Sequence, residues 1–151
     1  MIAVHKFIFS PGIWLGQGLI SFSMSPEQLQ FNTRWTISEE ENDEISLQQE
    51  VEIHDAQDKM LNKFTLSAFQ QDSFTVCLRN DILGKVTGKG VADEKIIAWE
   101  FRGTDLNFEG FEVFEKQDEE GYLTRAEFTS KDQMRTTIEG TIWKKLKDSA
   151  L

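Results

Sequence analysis

The sequence predicts an all-β protein: one antiparallel up-and-down β-barrel of about ten strands. Three observations carry this expectation. From residue 13 onward apolar residues recur at every second position almost without a break, the period of a strand with one buried face. Short clusters rich in Asp, Asn, Gly and Ser separate the runs, at the spacing of about ten residues that a meander requires. Glycines come in pairs at alternate positions, Gly16 with Gly18 and Gly88 with Gly90, where a strand must bend or be approached closely.

The strands follow in order. Residues 13–24 put Trp14, Gly16, Gly18, Ile20, Phe22 and Met24 on one face, opposite Ile13, Leu15, Gln17, Leu19 and Ser21. In 27–38 Leu29, Phe31, Trp35 and Ile37 face inward, and in 45–54 Ile45, Leu47, Val51 and Ile53 do. Residues 59–70 turn Met60, Phe64, Leu66 and Ala68 inward, and 73–80 turn Phe74, Val76 and Leu78. A strand over 83–92 carries the second glycine pair, and 95–102 presents Ile97, Trp99 and Phe101. Residues 108–116 bear Phe108, Phe111, Val113 and Phe114, rings on both faces, so Gly110 is a candidate bulge that would shift the register. The last two strands, 121–130 and 134–145, present Tyr122, Ala126 and Phe128, then Met134, Ile138 and Ile142. Only residues 1–9 offer a window compatible with a helix. Ten strands in one flat sheet would leave long edges and an uncovered apolar face, which closure removes. A two-sheet sandwich is the competitor, but its crossings need longer connections than these turns. No linker or repeat divides residues 1–151, so a single domain is expected.

At 151 residues the chain can bury about two-thirds of its unfolded surface without a metal or disulfide. Sixteen basic against 26 acidic residues give a net charge of −10, which repels phosphate backbones and anionic lipid, so neither nucleic acid nor membrane is an expected partner. The one basic cluster, Lys144, Lys145 and Lys147, reads as a solubilising tail. A lone cysteine, Cys77, and the lack of a signal peptide or an apolar run of spanning length lead to the expectation of a cytoplasmic protein.

Neither glycine-rich stretch has the spacing of a Walker A loop or of a dinucleotide fingerprint. "GKVTGKG" has three residues where a Walker A loop has four and lacks its hydroxyl, and Ser21 stands where a dinucleotide fingerprint needs its third glycine. Gly12-Ile13-Trp14, entering the first strand, resembles the Gly-x-Trp opening of the calycin superfamily, which contains the lipocalins and the fatty-acid-binding proteins. "PGIWLGQG" is also similar to the Gly-x-Trp-x-Gly-x-Gly opening of nitrobindin-like barrels. The resemblance implies that Trp14 closes one end of the barrel, packed against an arginine from a late strand, Arg125 or more readily Arg135. The late haem histidine of nitrobindin-like proteins has no counterpart, since His5 and His54 are the only histidines. No haem, metal or other cofactor is therefore expected.

No catalytic constellation stands out. The acidic run Glu39–Glu44 lacks the pattern of a calcium loop, no nucleophile elbow occurs, and His54 reads as a surface residue at a strand end. What remains is the aromatic inventory, 12 Phe and 4 Trp against one Tyr. Trp14, Phe22, Phe31, Trp35, Phe64, Phe74, Trp99, Phe101, Phe111, Tyr122 and Phe128 are expected inside. Of these Trp14, Phe22, Phe31, Trp35, Phe64, Trp99, Phe101, Tyr122 and Phe128 are the expected ligand-binding set. Gln49 and Asn62 also point inward and would be expensive in a dry core without partners. The leading expectation is a barrel that binds a small hydrophobic molecule without chemistry of its own. The alternatives are a filled barrel acting as an interaction or scaffold protein, with a homodimer seam along Phe108–Phe114, and an enzyme on the same frame, as some calycins are isomerases or chromophore lyases.

Overall fold

The computed structural model describes residues 4–102, 108–129 and 134–146. These form ten strands: β1 (Gly12–Phe22), β2 (Ser25–Ile37), β3 (Ile45–Ile53), β4 (Lys59–Ser67), β5 (Ser73–Asn80), β6 (Gly84–Ala92), β7 (Ile96–Phe101), β8 (Glu109–Asp118), β9 (Gly121–Thr129) and β10 (Arg135–Lys144). Each strand pairs antiparallel with the next, and β1 pairs with β10, from Trp14 opposite Lys144 to Phe22 opposite Thr136. The result is the closed, antiparallel up-and-down barrel that the period-two pattern predicts. No helix among the described residues is long and apolar enough to cross a membrane.

The glycines stand where side chains or backbones crowd. A Cβ at Gly18 would lie 2.8 Å from the Cα of Gly140 on β10 and 2.9 Å from the Phe31 ring on β2. At Gly88 it would lie 2.8 Å from the Phe101 ring, and at Gly90 it would strike the ring of Phe74. The glycines thus make room inside the barrel for aromatic residues on neighbouring strands.

Several details depart from the sequence reading. β4 stops at Ser67 because Ala68 takes φ +52°, a left-handed conformation that ends a strand. β1 stops at Phe22 with a register shift at Ser21/Phe22, so Met24 lies in the two-residue turn, 76% exposed rather than inward. Pairing on both sides of Gly110 is continuous, and the bulge falls instead between Lys116 and Asp118. With that register Phe108, Glu112 and Phe114 face inward, while Phe111 faces outward, opposite Glu100 and Glu127. Phe111 and Val113 are thus the outer-face members of the segment singled out for a dimer seam. The acidic run holds a tight turn, with Asn42 and Asp43 both at positive φ and Glu41 bridged to Glu44. The expected turns at 103–107 and 130–133, and Lys147, lie outside the described residues.

The main departure is at the N-terminus. Among the described residues the segment before β1 is a plug rather than a helix. His5, Phe7 and Ile8 are all but fully buried inside one end of the barrel. The Phe7 ring meets Trp14, Trp35, Phe114 and Tyr122 at centroid distances of 5.2, 5.4, 5.2 and 5.3 Å. Ile8 takes φ +63°, costly for a β-branched residue; this bend accompanies the burial of Phe7 and Ile8 on successive positions. Trp14 therefore closes its end against the chain's own Phe7 and not against an arginine. Arg125 is exposed, and Arg135 lies at the far end of β10, paired with Glu127 at 3.1 Å.

Candidate functional site: a cavity above the plug

The plug fills only one half of the barrel. Above it the inward residues leave a cavity of about 500 Å³, within the range of about 300–1,000 Å³ usual for small-molecule sites. Trp35, Phe64 and Phe114 form its floor, backed by Phe7 and Trp99. Trp35 stacks on Phe64 at 5.5 Å. Ile20, Phe31 and Val51 contribute to the wall. Phe108 and Phe128, stacked at 5.3 Å and 17°, stand near the mouth with Phe22 and Met134. Ile82 is 78% exposed and also lines the cavity, so the mouth opens at the end opposite the plug.

Threonine hydroxyls (Thr33, Thr124, Thr136 and Thr141) and Gln17 are scattered along the lining, and two stronger polar features stand among them. Side chains at Gln49, Asn62 and Asn80, adjacent across β3, β4 and β5, form a chain of amides. Asn80 Oδ1 accepts the backbone N–H groups of Ile82 (3.0 Å) and Leu83 (2.7 Å), so its NH2 group must point the other way and donates to Asn62 Oδ1 at 3.0 Å. Asn62 Nδ2 in turn donates to Gln49 Oε1 at 2.9 Å. The order is fixed from the backbone end, and it leaves the Gln49 NH2 as the terminal donor. These bonds explain how inward amides are tolerated.

Glu112 is the second feature. It lies on β8, five strands from β3 in either direction around the ring, and so on the opposing wall. The Trp99 indole N–H donates to its Oε1 at 3.2 Å. Part of its surface stays open, but that surface borders the cavity. Enclosure by protein pushes its pKa up to about 7, a rise that the Trp99 hydrogen bond only partly offsets. Glu112 is the one ionisable side chain among the described residues lining the cavity.

The plugged end holds a separate polar pair. The Asp93 carbonyl accepts from His5 Nε2 (2.5 Å), so Nδ1 is the acceptor for the Tyr122 hydroxyl at 2.6 Å. Desolvation holds His5 below its ordinary pKa, and burial raises that of Tyr122. Lys116 caps this end by donating to the Val4 carbonyl (3.1 Å) and pairing with Glu119 (3.0 Å).

Of the aromatic residues expected to bind a ligand, Phe22, Phe31, Trp35, Phe64 and Phe128 line the cavity. Trp14 and Tyr122 pack around the plug, and Trp99 and Phe101 lie behind the lining, against Phe114 and Phe108. Glu112 and Asn80 were not singled out by the sequence reading. The parity of Phe108 and Phe114 already places Glu112 inside, but Phe111 and Val113 put apolar groups on the other face and hide that signal.

The geometry has relatives among solved structures, at low sequence identity. The fold is similar to that of the S-type phycobiliprotein lyase CPES from Guillardia theta (TM-score 0.69, 11% identity, covering 92% of this chain and 90% of that one). It is similar also to Rv2717c from M. tuberculosis (TM-score 0.72, 9% identity, 90% and 92% covered). A third likeness is to EF1p2_mFAP2b bound to DFHBI (TM-score 0.55, 8% identity, 96% and 100% covered). No protein-family profile and no curated sequence matches the chain. The likeness is one of fold.

Proposed function

We propose that this protein binds a small, largely apolar, ring-bearing molecule in the half-empty end of its barrel, without transforming it. The observation that carries this reading is the division of the interior. One half is packed solid by the chain's own plug, while the other keeps a cavity of about 500 Å³ with an open mouth and aromatic walls. A scaffold with a filled barrel has no use for that void, which forfeits packing contacts. Binding would draw on burial of apolar ligand surface, at roughly 25 cal/mol per Å², with the Gln49 amide and Glu112 orienting the molecule. Two neighbours of the same fold support the reading by their names, one a phycobiliprotein lyase and the other bound to DFHBI.

Native mass spectrometry of the freshly purified protein, compared with the same sample after denaturation, tests this. A mass excess that disappears on denaturation is the expected result and delivers the ligand for identification. A bare chain mass, with no uptake of a neutral naphthalene dye, would count against it.

A further inference from the structure

The ligand reading leaves open which molecules the cavity favours, and the following inference rests on that reading. The walls are electrostatically one-sided. Among the described residues lining the cavity there is no Lys, Arg or His, and the only charge-bearing group is the Glu112 carboxylate. On the flanking strands the residues directly opposite it are Trp99 on β7 and Ala126 on β9. Trp99 occupies one carboxylate oxygen, and no described residue supplies a cation. A carboxylate enclosed without a cationic partner is costly, and a bound cation relieves that cost.

We propose that the cavity selects apolar ring-bearing molecules that carry a basic nitrogen, with the protonated nitrogen seated against Glu112, and disfavours carboxylates such as fatty acids. A ligand carboxylate would meet a like charge with no cation to offset it. The chain's net charge of −10 acts in the same direction at longer range. An ammonium group beside Glu112 gains a charge-assisted hydrogen bond, while its ring lies among Phe31, Trp35 and Phe64. The Gln49 NH2 on the opposing wall offers a donor, which suits a carbonyl or ether oxygen at the far end of the same molecule.

The raised pKa of Glu112 fits this account. In the free protein near neutral pH the carboxyl shares a proton with solvent, and a bound cation displaces it. No other ionisable side chain among the described residues shares the cavity wall, so the pH response of cation binding belongs to Glu112.

Three probes with one ring test the inference: naphthylmethylammonium, naphthylmethanol and naphthoate, titrated against the full chain at pH 8 by displacement of a neutral dye. The expected order is ammonium tightest, by about tenfold over the alcohol, with naphthoate weakest. Affinity for the ammonium should fall as pH drops through about 7, losing in all about the tenfold that separates it from the alcohol. Glu112→Gln should abolish both the preference and the pH dependence, leaving the ammonium and the alcohol bound equally. Equal affinity for all three probes, or a preference unchanged in Glu112→Gln, overturns the inference and leaves the cavity reading standing. Failure of every probe, the neutral alcohol included, overturns both.

Discussion

Glu112 and His5 sit in opposite halves of the barrel, and burial acts on them with opposite signs. Glu112 is held above its ordinary value of 4.5, at about 7, so between those limits the unfolded chain is ionised while the folded one keeps its proton. Its contribution is fully present below about pH 4.5 and is lost as pH rises through 7, a change on the order of 3 kcal/mol. Glu112→Gln should therefore be more stable than the parent at pH 8 and little different at pH 4, read from urea unfolding midpoints. His5 is held below 6.5 by desolvation, so its contribution is present above pH 6.5 and is lost as pH falls through its depressed value. His5→Leu should flatten that acid limb. It should also cost about 1–3 kcal/mol at pH 8, because the Tyr122 hydroxyl loses its acceptor. Neither residue's role was legible beforehand. His5 belongs to a segment with no strand period, and Glu112 is a single charge in a strand with rings on both faces.

Among the elements, the ten strands were legible because each has one buried face, and alternation is then a direct consequence of the pleat. Their ends were read less well, since a single positive φ at Ala68 or a two-residue turn at Met24 leaves almost no trace in hydropathy. The plug was illegible for another reason. "HKFIF" is too short for either period to assert itself, and its conformation is set by what it fills. Phe7 ties together Trp14, Trp35, Phe114 and Tyr122, so Phe7→Ala should cost about 3–5 kcal/mol. The arginine expected in that space has no room, since the ring already occupies it. Gly110 is constrained by the strand beside it, because a Cβ there would lie 2.5 Å from the Glu127 carbonyl oxygen and strike the Phe128 ring. Gly110→Ala should destabilise β8 by about 1–3 kcal/mol, measurable as a lower thermal midpoint.

At the scale of the molecule, period, turn spacing and glycine placement all agreed on a closed barrel, and that agreement is why the fold could be read. Whether the barrel is full or hollow could not be read. The same aromatic residues serve either state, and the answer depends on a plug that enters from one end and stops halfway. Gln49 and Asn62 gave a partial sign of a wet interior; Asn80, which anchors them to the backbone, completes the account. The remaining half of the barrel is a cavity open to a ligand, and Val51, on its wall, allows it to be filled. The most direct measurement is a titration of the parent and Val51→Trp with a neutral solvatochromic naphthalene dye, alongside thermal melts of both. The parent should show saturable, blue-shifted, one-to-one binding, and the variant should show none while melting no lower. Equal binding by both proteins, or none by the parent, would contradict the cavity reading.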